Sequence, residues 1–373
     1  MRIAIVINTS WNIYNFRRGL IEDLKSNGHT VFAIAPQDDY SEKISELGVT
    51  FVPLNMDSKG TNPFKDIALY FEFRKLYKKL DLDVVLHFTI KPNLYGTLAT
   101  RKLNICSINN VTGLGTAFIR ENWMSKLVSR MYKTAFNYSS HVFFQNGDDL
   151  SLFLDKKIIS SDLASLLPGS GIKYQDIFYE PKKDISYPLT FFMPSRLLLD
   201  KGINEFLGAA KRMKAEFGDD VKFIVCGKPE KNPSIGIDEN TMRFYESEGV
   251  LEYYGHVDNV LSRMKQSDCV VLPSYREGTP RVLLEASCTG TFIITTDAPG
   301  CREVVRHGVN GYLCEVRNTE SLFNCMRDFV NLTIEERLKL LDNGRDLVET
   351  KFDERIVVDG YLEVIDQAVN GNY

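Results

Sequence analysis

The sequence predicts an α/β protein made of two doubly wound parallel sheets, one after the other. Short apolar runs of strand length alternate with amphipathic helical patterns along the whole chain. The alternation pauses once, in a polar, proline-bounded stretch at 180–188, and then begins again. At 373 residues the chain can give each half a core of its own. We therefore expect two Rossmann-like domains that face each other across a central cleft.

The first half supplies six candidate strands. They are expected at 3–8, 30–36, 49–54, 84–88, 106–111 and 141–146. Helical patterns lie between them, among them 16–27, which Gly28 ends, and 63–80. We expect these elements to form a first domain over residues 1–182, with a last helix at about 353–373 packing back on it.

The second half repeats the scheme and predicts a second domain over residues 183–352. Its strands are expected near 189–194, 221–226, 251–255, 269–273 and 292–296. Its helices are expected near 202–217, 238–248, 258–266, 280–289 and 301–307.

The composition argues against several classes of protein. A chain with 44% hydrophobic and 25% charged residues is typical of soluble globular proteins. Seven cysteines without a C-x-x-C pair argue against a zinc site or a disulfide framework and favour a reducing cytoplasm. The apolar run at the start is too short for a signal peptide, and no segment approaches a membrane span.

The net charge of −4 is divided unevenly along the chain. Residues 1–184 carry +4 and the remainder −8. Either this asymmetry is chance, or the first half faces an anionic partner.

The stretch 273–286 is the most informative part of the sequence. It follows an apolar strand pattern, and Gly278 and Pro280 mark a turn, with Pro280 suited to the first position of a helix. The start of a helix favours anions because its first N–H groups lack partners. Glu277 precedes this helix and Glu285 lies within it. An anion site flanked by carboxylates suits a ligand that carries both phosphates and hydroxyls, such as a nucleotide sugar.

Two cations follow the first strand of the second half. Arg196 stands at the strand end and Lys201 at the start of the next helix. A diphosphate leaving group needs such cations, because charge builds on it as the sugar bond breaks. The alternative is a pair of unrelated surface cations. Gly227, Lys228 and Val257 follow two further strands and are expected to border a slot for the base.

The first half offers candidate acceptor contacts. The turn after the first strand, 8–16, has no glycine, which argues against a dinucleotide-dependent oxidoreductase. This aromatic turn, with Asn15, is expected either to line an acceptor pocket or to pack between the domains. Lys91 is expected to meet a phosphate or to be simply solvated. Thr112 and Gly113 follow another strand, and Gly113 allows close approach of a ligand.

The helical pattern at 118–138 has two interpretations. Its wide apolar stripe is typical of core packing. Alternatively, the helix rests on an anionic membrane, with Trp123 at the interface and Lys126, Arg130 and Lys133 toward the lipid headgroups.

Taken together, these motifs resemble the family-4 retaining glycosyltransferases of GT-B fold. The resemblance rests on Ser195-Arg196 with Lys201-Gly202, on the E-x7-E spacing of Glu277 and Glu285, and on 310–313, Asn-Gly-Tyr-Leu. Residues 35–40, 62–64 and the Glu277 region are similar to bacterial enzymes that extend polyprenyl-diphosphate-linked glycans.

The resemblance implies a role for each matched residue. Arg196 and Lys201 would bind the donor diphosphate, and with Glu277 they would be the catalytic residues. Glu277 would contact the transferred sugar and Glu285 the ribose hydroxyls. The turn of Gly278, Thr279 and Pro280 would close around the sugar and phosphate. The family binds its donors without a metal, so no cofactor is expected.

The sequence departs from the family in two places. Many members carry a histidine just before the glycine that matches Gly113, whereas this chain has Thr112. Their glycine-rich turn after the first strand is replaced by residues 9–12, Thr-Ser-Trp-Asn. Both differences leave the acceptor and the donor sugar open.

The resemblance implies a retaining hexosyltransferase that is cytoplasmic and peripheral on the inner face of the plasma membrane. It would move N-acetylgalactosamine or N-acetylglucosamine from a UDP-sugar to a polyprenyl-diphosphate-linked saccharide in glycan biosynthesis, without binding nucleic acid. Two alternatives remain: a UDP-N-acetylhexosamine 2-epimerase on the same fold, and a non-catalytic glycosyltransferase-like partner subunit.

Overall fold

The computed structural model describes residues 1–57, 60, 62–114, 118 and 123–369. The chain divides into two compact units. The first contains Met1–Gly171 and the end of the chain from Glu354, and the second is Ile172–Asp353. The second unit thus begins earlier than the expected boundary at 183. The reason is packing, because Ile172 is fully buried in an apolar cluster of the second unit, and Tyr174 and Ile177 pack against that cluster.

The first unit is built on a seven-stranded parallel sheet. Its strands are β1 (Arg2–Val6), β2 (Thr30–Ala35), β3 (Thr50–Pro53), β4 (Val84–Phe88), β5 (Cys106–Val111), β6 (His141–Phe144) and β7 (Ala164–Leu166). Their order is β3-β2-β1-β4-β5-β6-β7. The doubly wound sheet is therefore confirmed. The seventh strand has only three residues, too few to give an apolar run that a sequence pattern would reveal.

Helices cover both faces of this sheet. They are α1 (Ser10–Phe16), α2 (Arg18–Ser26), α3 (Ser41–Glu46), α4 (Pro63–Leu80), α5 (Thr97–Thr100), α6 (Trp123–Phe136), α7 (Gly147–Asp155) and, from the end of the chain, α15 (Glu354–Val369). A π-helical turn, Pro92–Gly96, runs directly into α5. Because side chains alternate along a strand, Ile3 and Ile5 join one apolar layer while Ala4 and Val6 join the other.

The last helix, α15, belongs to the core of the first unit. Tyr361 and Ile365 are buried there beside residues of β1 and β4. The amide of Asn110, near the end of β5, donates a hydrogen bond of 2.7 Å to the Tyr361 hydroxyl. The two ends of the chain thus complete one unit.

The second unit contains a six-stranded parallel sheet. Its strands are β8 (Leu189–Pro194), β9 (Val221–Cys226), β10 (Glu252–Tyr253), β11 (Cys269–Leu272), β12 (Phe292–Thr296) and β13 (Tyr312–Cys314). The order β10-β9-β8-β11-β12-β13 is again that of a doubly wound sheet. The three-residue β13 is a strand that the sequence did not predict.

The helices of the second unit follow the predicted alternation with the strands. They are α8 (Ile203–Phe217), α9 (Glu239–Ser247), α10 (Val260–Gln266), α11 (Arg281–Thr289), α12 (Cys301–Val304), α13 (Thr319–Val330) and α14 (Ile334–Lys351). Side chains cap several of them, as Asn318 does at α13 by accepting from the N–H of Ser321. Among the residues described, no helix is both long and apolar enough to cross a membrane.

Candidate active site

The strand order of the second unit determines where the predicted cations and carboxylates meet. The order reverses between β8 and β11, and in doubly wound sheets ligands bind at such a switch point, outside the carboxyl ends of the strands. Arg196 and Lys201 follow β8, and Glu277 follows β11. Residues that are distant in sequence are thus brought to one edge of the sheet.

Lys201 and Glu277 form an ion pair at this edge. The ammonium Nζ of Lys201 donates to Oε1 of Glu277. The two side chains are only 17% and 16% exposed, so the pair is largely shielded but remains accessible to a ligand. An ammonium carries three N–H donors, and this bond uses one. The pair therefore presents a shielded cation with donors left for an anion.

Ser274 fixes the Glu277 carboxylate from the protein interior. Ser274 is fully buried, and its Oγ donates to Oε1 of Glu277 at 2.7 Å. The same hydroxyl lies 3.2 Å from the carbonyl oxygen of Asp200, in the loop that carries Lys201. The carboxylate is consequently positioned before any ligand arrives.

The turn that carries Glu277 is anchored on both sides. The Tyr275 N–H donates to the Asp200 carbonyl at 2.8 Å, and the Glu277 N–H donates to the Pro299 carbonyl at 3.0 Å. Gly300 lies directly behind the turn at φ +82°, and a Cβ there would overlap the carbonyl oxygens of Glu277 and Gly278. No sequence pattern singled out Gly300, whose only signal was a Pro-Gly dipeptide typical of any turn.

The helix after the turn begins one residue later than predicted. Pro280 is the residue before α11 and not its first, and its side chain makes no capping hydrogen bond. The first turn of α11 contains no acidic residue. It is therefore compatible with an anion at its start.

Glu285 lies in the second turn of α11 and pairs with Arg281. Arg281 Nε is 3.3 Å from Oε1 of Glu285, and both side chains are about one-fifth exposed, at 20% and 22%. Burial raises the pKa of Glu285, while the Arg281 charge opposes that rise. A partly buried carboxylate beside one guanidinium can accept hydrogen bonds from hydroxyl groups.

Cys301 is the cysteine that lies close to this site. It is fully buried at the start of α12. Burial, with a further contribution from the Glu277 carboxylate, raises the pKa of Cys301 to about 12. The thiol therefore stays protonated and is unsuited to act as a nucleophile.

A second layer of contacts, which no sequence pattern indicated, supports the turn. The Tyr275 hydroxyl donates to Oε1 of Glu205, in α8, at 2.8 Å. The guanidinium of Arg317 lies over the Tyr275 ring at 4.7 Å. Tyr275 is thereby held by one side chain from α8 and one from the loop before α13.

The other predicted donor contacts border the same sheet edge. Arg196 and Lys228 are exposed. Gly227 is required by packing, since a Cβ there would overlap the carbonyl oxygen of Ser195. Val257 is half-buried against an apolar cluster. The remaining turn residues, Gly278 and Thr279, are buried and half-buried respectively.

In the first unit, Lys91 already has a partner. Its Nζ lies 2.7 Å from Oδ1 of Asp66, and each side chain is only 13% exposed. The Tyr95 hydroxyl donates to the other oxygen of the same carboxylate at 2.9 Å. A shielded, paired lysine differs from the solvated alternative, and like Lys201 it keeps N–H donors for an anion.

The other predicted acceptor residues lie at the ends of β1 and β5. The Asn15 amide donates to the Trp11 carbonyl at 2.8 Å within α1. Thr112 and Gly113 directly follow β5 and are half-buried, with Gly113 at φ +116°. The second glycine of this loop, at position 115, lies outside the described residues.

Helix α6 combines both interpretations of its pattern. Tyr132 and Phe136 are buried in the core of the first unit, as the packing interpretation expects. Trp123 is 71% and Leu127 46% exposed. Lys126, Arg130 and Lys133 are exposed on that same face.

Within the described residues, no group of three or more His, Cys, Asp or Glu side chains could hold a metal ion. The seven cysteines are free.

Two families match the chain, one on each unit. The family described as glycosyl transferases, group 1, matches residues 178–347, and the family described as glycosyl transferase 4-like matches residues 2–146. Together they span most of the chain. The matched region of the second unit contains the Lys201–Glu277 pair.

Relatives align over nearly the full length. The chain is 28% identical to the N,N'-diacetylbacillosaminyl-diphospho-undecaprenol alpha-1,3-N-acetylgalactosaminyltransferase of Campylobacter jejuni, over 99% of each chain. It is 25% identical to the UDP-Gal:alpha-D-GlcNAc-diphosphoundecaprenol alpha-1,3-galactosyltransferase of Escherichia coli, over 90% of this chain and 87% of the relative.

Solved structures share the fold. A glycosyltransferase from Rickettsia africae superposes with a TM-score of 0.78 at 19% identity, covering 99% of this chain and 98% of its own. The Anabaena protein HepE, in complex with UDP and glucose, also gives 0.78, at 14% identity, over 98% of this chain and all of its own.

Proposed function

Since the chain belongs to the group 1 glycosyltransferases and has the GT-B fold, we propose that it extends a polyprenyl-diphosphate-linked saccharide. The sugar, an N-acetylhexosamine, is transferred from a UDP-sugar with retention of its anomeric configuration. The observation that carries this proposal is the Lys201–Glu277 pair at the switch point of the second unit, with the exposed Arg196 on the same loop as Lys201.

The donor is bound by charge and by hydroxyl recognition. Lys201 keeps donors for the phosphates after pairing with Glu277, and Arg196 adds a second cation. Glu285 accepts hydrogen bonds from the ribose, where no phosphate charge opposes it. Gly227, Lys228 and Val257 border the base. The turn from Gly278 to Pro280 closes around the sugar and the phosphate.

The chemistry follows from where charge develops. As the bond from the sugar to the diphosphate breaks, negative charge grows on the leaving oxygen, and preorganised cations stabilise it. Glu277 stabilises positive charge near the anomeric carbon. The acceptor hydroxyl attacks from the face that the diphosphate leaves, and the leaving phosphate helps to take its proton. No metal enters this scheme, so transfer is expected to persist in the presence of a chelator.

The acceptor class rests on the two long alignments. The Campylobacter and Escherichia coli relatives are both named for diphospho-undecaprenol-linked acceptors. They differ in the sugar transferred, which is N-acetylgalactosamine in one and galactose in the other. An N-acetylhexosamine is proposed because the alignment with the first relative is the longer and has the higher identity. In the first unit, Asn15, Lys91, Thr112 and Gly113 are the proposed acceptor contacts.

The proposed location is the inner face of the plasma membrane, where the first unit meets anionic lipid through Trp123, Lys126, Arg130 and Lys133. Support comes from the exposure of all four side chains on one face of α6. The lipid-linked acceptor resides in the same membrane.

A donor panel tests the proposal. UDP-N-acetylgalactosamine, UDP-N-acetylglucosamine, UDP-galactose and UDP-glucose are each offered with a polyprenyl-diphosphate-linked saccharide. We expect UDP release only with acceptor, and a product with one added sugar in the configuration of the donor. An epimerised UDP-sugar would instead support the isomerase alternative. No turnover with any donor would support a non-catalytic partner subunit.

A further inference from the structure

Helix α4 is apolar on two opposite faces. One face packs in the core of the first unit through Leu69, Phe73 and Tyr77. The other points to solvent, with Phe64 83%, Ile67 56% and Phe71 58% exposed. The spacing of these three places them on one stripe, because residues three and four apart are neighbours on a helix surface. A contiguous apolar stripe left in water marks an interaction surface.

The stripe changes character along the helix. Lys75 and Lys78 continue the line that begins at Phe64 and Phe71, and both are exposed, as is the neighbouring Lys79. The helix carries five basic and two acidic residues, and one of the acids, Asp66, is already paired with Lys91. The exposed face of α4 is thus apolar at its start and cationic toward its end.

Helix α6 shows the same pattern. Trp123 and Leu127 are exposed in its first two turns, and Arg130 and Lys133 follow on the same face. This helix contains no acidic residue. Both helices therefore present exposed aromatic and aliphatic groups in their first turns and cations toward their ends, and in α6 a further cation, Lys126, lies between Trp123 and Leu127.

The two helices lie on the same face of the sheet and begin at the same edge. In adjacent parallel strands, paired residues point to one side, and the register pairs Val85 with Ser107 and Val111 with Phe144. Val85 packs under α4, and Val111 and Phe144 pack under α6. Because crossover helices run back along the sheet, both start at the carboxyl ends of the strands. Thr112 and Gly113 lie at that edge too.

A groove runs beside the apolar stripe of α4. It has a volume of about 430 Å³. Its lining is mainly apolar and consists of Asp66, Ile67, Tyr70, Phe71, Tyr95, Leu98 and Arg101. A surface depression of this kind can receive an apolar chain next to the exposed phenylalanines.

We propose that α4 and α6 together dock the first unit on an anionic lipid bilayer. The apolar first turns enter the interface, and the cations that follow meet the headgroups. Charge complementarity selects a lipid surface over a second copy of this chain, because two copies would bring their lysines together. The proposal rests on the proposed function for the lipid-linked acceptor and for the contact of α6 with anionic lipid, and it adds α4 as a second contact. It brings the membrane to the sheet edge that carries the acceptor loop.

Vesicle sedimentation tests the surface directly. The vesicles contain equal parts of phosphatidylglycerol and phosphatidylethanolamine. Phe64→Ser with Phe71→Ser should lower the vesicle partition coefficient by about tenfold or more, because membrane binding scales with the apolar area inserted. The matched control is Phe178→Ser with Phe244→Ser, two phenylalanines of the second unit that are 69% and 59% exposed. Unchanged binding in the first variant, or an equal loss in the control, would overturn the proposal.

A charge variant separates the two parts of the gradient. Lys75→Gln with Lys78→Gln should weaken binding to the anionic vesicles and leave the low binding to phosphatidylcholine vesicles as it is. Light scattering examines the rival occupant of the stripe. If the phenylalanine variant changes the protein from dimer to monomer while vesicle binding is unaltered, the stripe is a self-association surface and the proposal is wrong.

Activity on a soluble acceptor keeps this proposal apart from the function. The phenylalanine variant should transfer sugar normally to a water-soluble, short-chain diphosphate acceptor, and poorly to acceptor in vesicles. If the unmodified protein transfers to neither acceptor but still needs Phe64 and Phe71 for vesicle binding, the proposed function fails and the docking surface stands. If the phenylalanine variant transfers sugar normally to acceptor in vesicles, the docking proposal is wrong and the proposed function is unaffected.

Discussion

Lys201 and Glu277 form an ion pair across the point at which the sheet of the second unit reverses its strand order. The lysine follows β8 and the glutamate follows β11, so neither strand alone provides the site. This pairing gives the first prediction.

Lys201→Ala should lower kcat by at least about two orders of magnitude, since it removes one preorganised cation from the leaving diphosphate. It also removes the ammonium that pairs with the Glu277 carboxylate. Steady-state kinetics with the donor identified by the panel measures the effect. Lys211→Ala, at an exposed position of α8, is the matched control and should be neutral. Transfer at a near-normal rate by Lys201→Ala would remove this lysine from the mechanism.

Ser274→Ala should reduce kcat with little change in the KM for the donor. A hydrogen bond to a charged group contributes about 1.5–3 kcal/mol, so a loss of roughly tenfold to a hundredfold is expected. Ser287→Ala is the control, because that serine is also buried but its Oγ has no hydrogen-bond partner among the residues that the structure describes. Equal kinetic losses in the two variants would show that Ser274 acts through packing and not by orienting Glu277.

Glu285→Gln should raise the KM for the UDP-sugar by about tenfold, because a neutral amide is a weaker acceptor for the ribose hydroxyls. It should also change the pH dependence of stability. Burial raises the pKa of Glu285, so the folded state holds this proton more tightly than the unfolded chain. The stability due to the protonated form is therefore lost as pH rises from about 4.3 through the raised pKa.

Thermal unfolding across this pH range measures how much Glu285 contributes to the pH dependence of stability. The variant should lack the part of the slope that Glu285 contributes, whereas Glu216→Gln, at an exposed position of α8, should keep it. If stability changes with pH by the same slope in all three proteins, burial does not raise the pKa of Glu285.

Gly300→Ala should destabilise the protein and abolish most activity, since the new Cβ would overlap the backbone of the turn that carries Glu277. The positive φ alone costs a residue with a side chain about 1–3 kcal/mol. Gly308→Ala isolates that cost, because Gly308 has φ +71° and open space around its Cβ position. The two variants should differ clearly in their free energy of unfolding and in kcat. Similar values would mean that the backbone of the turn moves to accommodate the new Cβ.

Changing Lys126, Arg130 and Lys133 to Gln should weaken binding to anionic vesicles, and added salt should erase the difference. Each cation near such a surface contributes about 1 kcal/mol, which salt screens. Lys211, Lys231 and Lys339, all exposed in the second unit, supply a control with the same change of charge. If the α6 variant binds anionic vesicles as well as the unmodified protein does, the helix serves only to pack in the core.

The sequence predicted most strands because buried parallel strands are continuous apolar runs. It failed for β7 and β13, whose three residues carry no pattern. It located Arg196, Lys201 and Glu277 because strand ends are visible in a sequence and the carboxyl ends of parallel strands share an edge. These arguments require no knowledge of which side chains touch.

The sequence could not predict which side chains contact each other. Nothing in the sequence pairs Asp66 with Lys91, or Ser274 with Glu277, because such partners are selected by packing over long sequence separations. The exposed apolar stripe of α4 was not predicted either, for a different reason. Phe64 and Phe71 look the same as Phe73 in a sequence, and only burial distinguishes the face that packs from the face that does not.

The position of α15 has a consequence for biosynthesis. The core of the first unit includes Tyr361 and Ile365, so this unit cannot close before α15 has left the ribosome. The second unit, Ile172–Asp353, contains no residue of α15 and can fold without it. The half that is translated first is therefore completed last. A chain truncated just before α15 should yield a protease-resistant second unit attached to an unfinished first one.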